Sequence, residues 1–338
     1  MHDLAGFRID DLPLWASWLL VAVAILLIGK GAQQIVEAAA RIAKRLRISE
    51  LIVGLKLVAS ATSLPELGVT LVAAFERYPD ISVGNVVGSN IFNLGFILGG
   101  IAVLRPIPTT RMLIRRDGSA LILSTLLLLV LVASDLRLDR VDGAVLLAGL
   151  GLYLAVVVAI GRVQWLEPAL ALAVSSRKTR RNGDDLLAAL RALGELSVGI
   201  VLLAVGSHLL VNSAIPIARS FGVSDWVIAV TVVAAGTSVP ELATSLVGVL
   251  RGRYDISVGN VIGSDLFNLL GVLGIAGVLQ PQAVDPGARA SLIALTAMVV
   301  LVAIFARTGW KLSRTEGLVL VLFGLARWVL DFAPPGAT

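Results

Sequence analysis

Apolar runs of about 20 residues, separated by short loops that carry most of the charge, recur along the whole chain. At 1.5 Å per residue in a helix, such a run matches the roughly 30 Å hydrocarbon core of a bilayer. The breaks divide the chain into about ten segments of spanning or near-spanning length: residues 14–40, 50–74, 81–104, 117–134, 142–162, 186–215, 225–250, 256–279, 290–306 and 315–332. Helix is the expected form, because an open sheet facing lipid leaves its backbone groups unsatisfied. The pattern predicts an all-α integral membrane protein with ten transmembrane helices.

Composition agrees. The 338 residues are 57% hydrophobic and 15% charged, whereas soluble domains carry about 25% charged residues. The longest polar stretch, near Val174 to Asp185, is too short to enclose a core of its own. Cysteine is absent, which excludes disulfides, thiolate metal sites and a cysteine nucleophile. With only His2 and His208, a histidine metal cage is excluded too. The polar N-terminus lacks the basic region of a removable signal peptide.

The net charge of +5 is spread over the loops rather than along a stripe, so nucleic acid is not the expected partner. With the N-terminus placed outside, nineteen Lys and Arg fall in inner loops and seven on the outer side. That bias orients the chain with both termini outward, in a cell (inner) membrane.

The chain also repeats itself. Residues 54–104 align without gaps to 229–279 at an offset of 175. Thr62-Ser63-Leu64-Pro65-Glu66-Leu67 returns as Thr237-Ser238-Val239-Pro240-Glu241-Leu242. The block Asp80-Ile81-Ser82-Val83-Gly84-Asn85-Val86 returns unchanged from Asp255 to Val261, and Gly88-Ser89-Asn90 returns as Gly263-Ser264-Asp265. The offset spans five helices, an odd number, so the second copy enters the membrane from the opposite side. The expected organisation is two inverted five-helix repeats, residues 1–163 and 186–338, joined by a cytoplasmic linker at 164–185. In such folds the substrate lies near the midplane, at discontinuous helices in matching positions.

Thr-Ser-x-Pro-Glu marks those positions. Proline removes a backbone donor and clashes with the preceding turn, so kinks are expected within Ala59–Glu66 and Ala234–Glu241. Glu66 and Glu241 lie at mirrored depth, and a carboxylate at the bilayer centre costs at least about 2.5 kcal/mol unless compensated. A bound cation compensates both. Two carboxylates with freed carbonyls, hydroxyls and waters make a hard oxygen cage suited to Ca²⁺. Thr62, Ser63, Thr237 and Ser238 add weaker oxygens suited to Na⁺. On the following helices Ser89 with Asn93, and Ser264 with Asn268, each lie four residues apart on one face. Gly84, Gly88, Gly259 and Gly263 permit close helix contact.

These paired motifs resemble the alpha-repeats of the calcium/cation antiporter superfamily, in its sodium/calcium exchanger branch. The resemblance covers about 100 residues directly, at the repeat pair 54–104 and 229–279. It implies Ca²⁺ on the carboxylates of Glu66 and Glu241 and the carbonyls of Thr62 and Thr237. It implies Na⁺ on the carbonyls of Ala59 and Ala234 with Ser63, Ser238, Ser89 and Ser264, and places Asn93 and Asn268 at the centre. It also implies alternating access, with the first and sixth helices sliding past a fixed core, in a protein functional as a monomer. No cofactor is expected beyond the transported ions.

Two residues depart from the pattern. Lys56 replaces a small residue and has Thr231 as its repeat partner. It snorkels to the inner surface, reaches toward the site as a tethered cation, or pairs with an acid such as Glu37. Asp265 stands where the first repeat has Asn90, and either adds a third carboxylate or pairs with a neighbour. His208 and Asn212 lie opposite Gln33 and Glu37 by the repeat offset, where a hydrogen bond between helices is the expectation and a gating or proton-linked role the alternative.

The leading expectation is Na⁺/Ca²⁺ exchange, with H⁺- or K⁺-coupled exchange of Ca²⁺ or another cation as the alternative. A cation channel fits the inverted repeat less well. A membrane enzyme would need a nucleophile–base pair or metal ligands that the chain does not offer.

Overall fold

The computed structural model describes residues 13–46, 49–75, 79–175, 182–221, 234–284 and 288–331. The protein is a bundle of helices: α1 (Leu14–Leu46), α2 (Glu50–Thr62), α3 (Leu64–Phe75), α4 (79–104), α5 (113–135), α6 (Arg140–Ser175), α7 (Asn182–Ser220), α8 (Ala234–Thr237), α9 (Val239–Leu250), α10 (Tyr254–Leu279), α11 (Ala288–Arg307) and α12 (Arg314–Asp331). Six helices among the described residues are long and apolar enough to cross a membrane, and the bent pair α2–α3 makes a seventh. Helix α9 is shorter, and α12 carries Arg314, Glu316, Arg327 and Asp331 along its length.

Apolar side chains fill the core and also cover the outside of the bundle, while a set of polar side chains is sealed within it. Trp15, Leu26, Val130, Leu152 and Val329 are among the large apolar side chains that face outward. Glu66, Asn90, Asn93, Glu241, Asn260, Asp265 and Asn268 have no exposed surface at all. Apolar residues face outward without penalty where the surroundings are hydrocarbon, and buried polar groups must then bind one another or an ion.

At the centre, α4 and α10 are the most enclosed of the long helices. The α2–α10 contact depends on missing side chains. A Cβ on Gly263 would lie 2.4 Å from the Leu55 carbonyl oxygen, and one on Gly54 would lie 2.8 Å from that of Ile256. Helices α1 and α7 pack along a similar seam, where a Cβ on Gly31 would meet the Gly199 carbonyl oxygen at 2.8 Å. Without a hydrophobic drive between helices in lipid, such close backbone approach is what holds them together.

Three features lie outside the sequence reading. Helices α2, α4, α5 and α10 each contain a π-helical stretch, at Gly54–Val58, Asn93–Gly99, Leu113–Gly118 and Phe267–Val272. Loop ends form two short antiparallel ribbons, β1 (Ile107–Pro108) with β4 (Lys311–Leu312) and β2 (Arg137–Leu138) with β3 (Gln282–Ala283). Helix also runs into the expected linker, since α6 continues to Ser175 and α7 starts at Asn182. The basic run Arg177, Lys178, Arg180 and Arg181 of that linker, expected to face lipid headgroups, lies outside the described residues.

Candidate functional site

The expected break in each Thr-Ser-x-Pro-Glu helix falls on the serine, two residues before the proline. Ser63 has φ −84° and ψ 10°, and Ser238 has φ −90° and ψ 6°. Pro65 and Pro240 then sit in the first turns of α3 and α9, where proline is tolerated because those N–H groups lack helical partners. The axis bends by 44° between α2 and α3, and Glu66 and Glu241 fall in the first turn beyond each break. A carboxylate in the first turn is favoured by the helix dipole.

The two halves are cross-linked through these residues. Ser63 Oγ donates to Glu241 Oε1 at 3.0 Å, and Ser238 Oγ donates to Glu66 Oε1 at 3.1 Å. Each carboxylate is therefore held by the serine of the other repeat. Thr237 lies against Glu66 as Thr62 lies against Glu241. The second oxygen of each glutamate, Oε2, is buried without a hydrogen-bond partner. Buried unpartnered carboxylate oxygens are costly, and here two occur at repeat-related positions.

Around them the remaining predicted residues divide. Thr62 Oγ1 contacts the Ala59 carbonyl at 3.2 Å and Asn260 Oδ1 at 3.1 Å. Ser264 Oγ lies 3.4 Å from both the Ala59 carbonyl and Glu241 Oε1. Ser89 is buried on α4, and Ala234 opens the short helix α8. Asn93 Nδ2 donates to Asp265 Oδ1 at 2.9 Å, and Asn268 Nδ2 donates to Asn90 Oδ1 at 3.2 Å, again a reciprocal pair. Asn93 Oδ1, Asn268 Oδ1 and Asp265 Oδ2 are left without partners. No group of three or more His, Cys, Asp or Glu placed to share a metal ion occurs among the described residues. Amide, hydroxyl and carbonyl oxygens must therefore complete any oxygen shell.

A repeat-related pair of asparagines braces the two breaks, a role that the sequence pattern alone does not assign. Asn85 Nδ2 donates to the Glu66 carbonyl at 3.4 Å and to Thr70 Oγ1 at 3.1 Å. Asn260 Nδ2 does the same to the Glu241 carbonyl at 3.3 Å and Ser245 Oγ at 3.0 Å. Each asparagine ties the helix after the break to its neighbour. The signal was present, since Asn85 and Asn260 sit inside the unchanged seven-residue block.

Two expectations are corrected. Asn212 Nδ2 donates to the His208 carbonyl within α7, and Gln33 Nε2 donates to Glu37 Oε1 within α1. Both bonds close one helical turn rather than joining helices. Glu37 instead accepts from Arg251 and lies 3.7 Å from Arg41, whose guanidinium also reaches Glu195. Lys56 does not pair with Glu37. It is half-buried on α2, within electrostatic reach of Arg116, and makes no hydrogen bond or ion pair among the described residues.

A cavity of about 960 Å³ leads to these residues, lined among others by Ile35, Thr62, Pro65, His208, Thr237 and Pro240. The profile of the family described as "Sodium/calcium exchanger protein" matches residues 16–159 and 192–326. This chain belongs to the sodium/calcium exchanger family. Among similar proteins, the sodium/calcium exchanger MaX1 of Methanosarcina acetivorans is 30% identical over 94% of this chain and 98% of its own length. The inner membrane protein YrbG of Escherichia coli is 33% identical over 92% of this chain and 94% of its own. A solved structure of the sodium-calcium exchanger NCX_Mj, soaked with Na⁺ and without Ca²⁺, superposes with a TM-score of 0.80 at 27% identity. It covers 95% of this chain and 100% of that one. The exchanger is a membrane cation antiporter and not an enzyme.

Proposed function

We propose that this antiporter exchanges Na⁺ for Ca²⁺ at one midplane site shared by its two repeats. The observation that carries the reading is the reciprocal pair Ser63–Glu241 and Ser238–Glu66, with both Oε2 atoms unpartnered. Two carboxylates match the charge of one Ca²⁺, which takes 6–8 oxygens in flexible geometry. Glu66 and Glu241 supply the charge, helped by the carbonyls of Thr62 and Thr237. Na⁺ uses Ser63, Ser238, Ser89, Ser264 and the carbonyls of Ala59 and Ala234, while Asn93, Asn268 and Asp265 border the centre. Because the Na⁺ oxygens adjoin the Ca²⁺ oxygens, with Ser63 and Ser238 bonded to Glu241 and Glu66, one species displaces the other, which is the requirement for exchange.

The chain crosses the inner membrane ten times as two inverted five-helix repeats, 1–163 and 186–338, with both termini outside, and works as a monomer. In that orientation the 960 Å³ cavity, bordered by the far half of α3 and by Ser207 to Asn212, opens outward. On the inner side, Glu37–Arg251, Arg41–Glu195 and Glu50–Arg253 tie α1, α2, α7, α9 and α10 together. Alternating access then consists of α1 and α7, held together by their glycine seam, sliding past the rest of the bundle and opening one end as the other closes.

The test is ⁴⁵Ca²⁺ uptake into vesicles loaded with Na⁺, with K⁺, or with a pH gradient alone. Na⁺ loading is expected to drive uptake, and Glu66→Gln and Glu241→Gln each to abolish it. Uptake driven by the pH gradient or K⁺ alone would replace Na⁺ as the coupling ion. Uptake surviving both substitutions would overturn the site.

A further inference from the structure

A second cavity, of about 710 Å³, lies between α5 and α6. Arg111 and Arg115 line one end, and Leu123, Leu127, Leu152 and Leu270 are among the mostly apolar residues that line the rest. The groove is thus basic at one end and hydrocarbon-like along its length. Arg115 and Leu127 are twelve residues apart on one helix, about 18 Å at 1.5 Å per residue. One leaflet of hydrocarbon core is about 15 Å deep. The groove therefore matches a headgroup-to-chain length.

Its charge is uncompensated from within. Arg116, the third arginine of the cluster, turns inward and donates to both oxygens of buried Asp117, at 2.7 and 2.9 Å. Tyr153 of α6 donates to the same carboxylate at 3.1 Å and so fixes the groove wall across the two helices. Arg111 and Arg115 are exposed and have no acidic partner among the described residues. The Arg111 guanidinium stacks over the Trp310 ring, 5.3 Å from its centroid. Stacking orients the guanidinium and leaves its N–H edge free for a phosphate oxygen.

We propose that this groove binds an anionic phospholipid, with its phosphate on Arg111 and Arg115 and an acyl chain along Leu123, Leu127 and Leu152. This rests on α5 and α6 spanning the bilayer. The floor residue Leu270 belongs to the π-helical stretch of α10 that also holds Asn268. Gly149 keeps the floor open, because a Cβ there would come 3.3 Å from the Leu270 side chain. The bound chain thus abuts the helix that carries part of the proposed ion site.

The experiment reconstitutes the full chain in phosphatidylcholine vesicles with or without phosphatidylglycerol, then counts retained lipid by native mass spectrometry. The wild type is expected to retain phosphatidylglycerol through detergent exchange. The double variant Arg111→Gln/Arg115→Gln is expected to retain roughly thirtyfold less, since each surface arginine contributes about fivefold. Exchange of the double variant in pure phosphatidylcholine should match the wild type, which shows that it is folded. Inorganic phosphate should not displace the lipid, because the acyl chain carries part of the binding. Equal retention by the two proteins, or displacement by millimolar phosphate, would overturn the site whether or not the protein exchanges ions. Glycine 149 offers a second variant: Gly149→Leu fills the groove floor from the apolar side and should lower retention with both arginines intact. Unchanged retention in that variant would also count against the proposal.

Discussion

Each glutamate of the central pair depends on a serine from the opposite repeat, so removing that hydroxyl isolates the contribution of the cross-link. Ser63→Ala deletes the 3.0 Å bond to Glu241 Oε1 and Ser238→Ala deletes the 3.1 Å bond to Glu66 Oε1. Both hydroxyls are fully buried, so water does not replace them readily. A hydrogen bond to a charged group contributes about 1.5–3 kcal/mol, which corresponds to roughly ten- to hundredfold in affinity. Ser264→Ala removes contacts no shorter than 3.4 Å and should cost less than either. The assay is the Ca²⁺ concentration dependence of initial uptake in Na⁺-loaded vesicles, with Ser63→Thr as the conservative control. Half-saturating Ca²⁺ is expected to rise at least tenfold in Ser63→Ala and Ser238→Ala, by similar factors because the contacts mirror each other. Affinities within twofold of the wild type in both variants would refute the reasoning.

Other consequences follow from packing and charge. Glu37→Gln removes the α1–α9 ion pair with Arg251, which is partly exposed and worth about 0.2–1 kcal/mol. Because the chain has no cysteine, a single Ala40→Cys probe should label up to about fivefold faster from the inner side in that background. Unchanged labelling would remove the ion pairs as an inner closure. Gly263→Val drives side-chain atoms into the Leu55 backbone and should destabilise the protein by at least about 1–3 kcal/mol, seen as a lower thermal midpoint and impaired uptake; a wild-type midpoint would contradict the packing. Asp117→Ala strands Arg116, whose side chain is only 7% exposed, at about 3–5 kcal/mol. Its melting temperature should fall well below that of Tyr153→Phe, which loses one hydrogen bond.

The helices and the acidic pair were legible because both obey local rules. Segment lengths follow hydrocarbon thickness, and Glu66 and Glu241 stand out as carboxylates in otherwise apolar helices. The repeat multiplied that signal, since two matched motifs constrain each other. What escaped depends on register between elements far apart in sequence. The break was not among these: it lies at Ser63, inside the Ala59–Glu66 span that Pro65 marks, because proline is stable in the first turn of the helix it begins. The roles of Asn85 and Asn260 required knowing which carbonyls the breaks release. Glu37 gave no sign that it would meet Arg251, some two hundred residues away, rather than Lys56 or a polar residue on α7. The π-helical stretches at Asn93 and Phe267 have no local signature that a hydrophobic pattern reveals.

Exchange at this site requires a divalent cation seated between Glu66 and Glu241. Crystals soaked with Sr²⁺ in place of Ca²⁺ and measured for anomalous scattering would locate it directly. A single strong peak is expected within about 2.3–2.7 Å of Oε2 of both glutamates, at distances typical of oxygen-ligated calcium and its slightly larger congener. A peak bound to only one of them, or one elsewhere with the central position empty at saturating Sr²⁺, would contradict it.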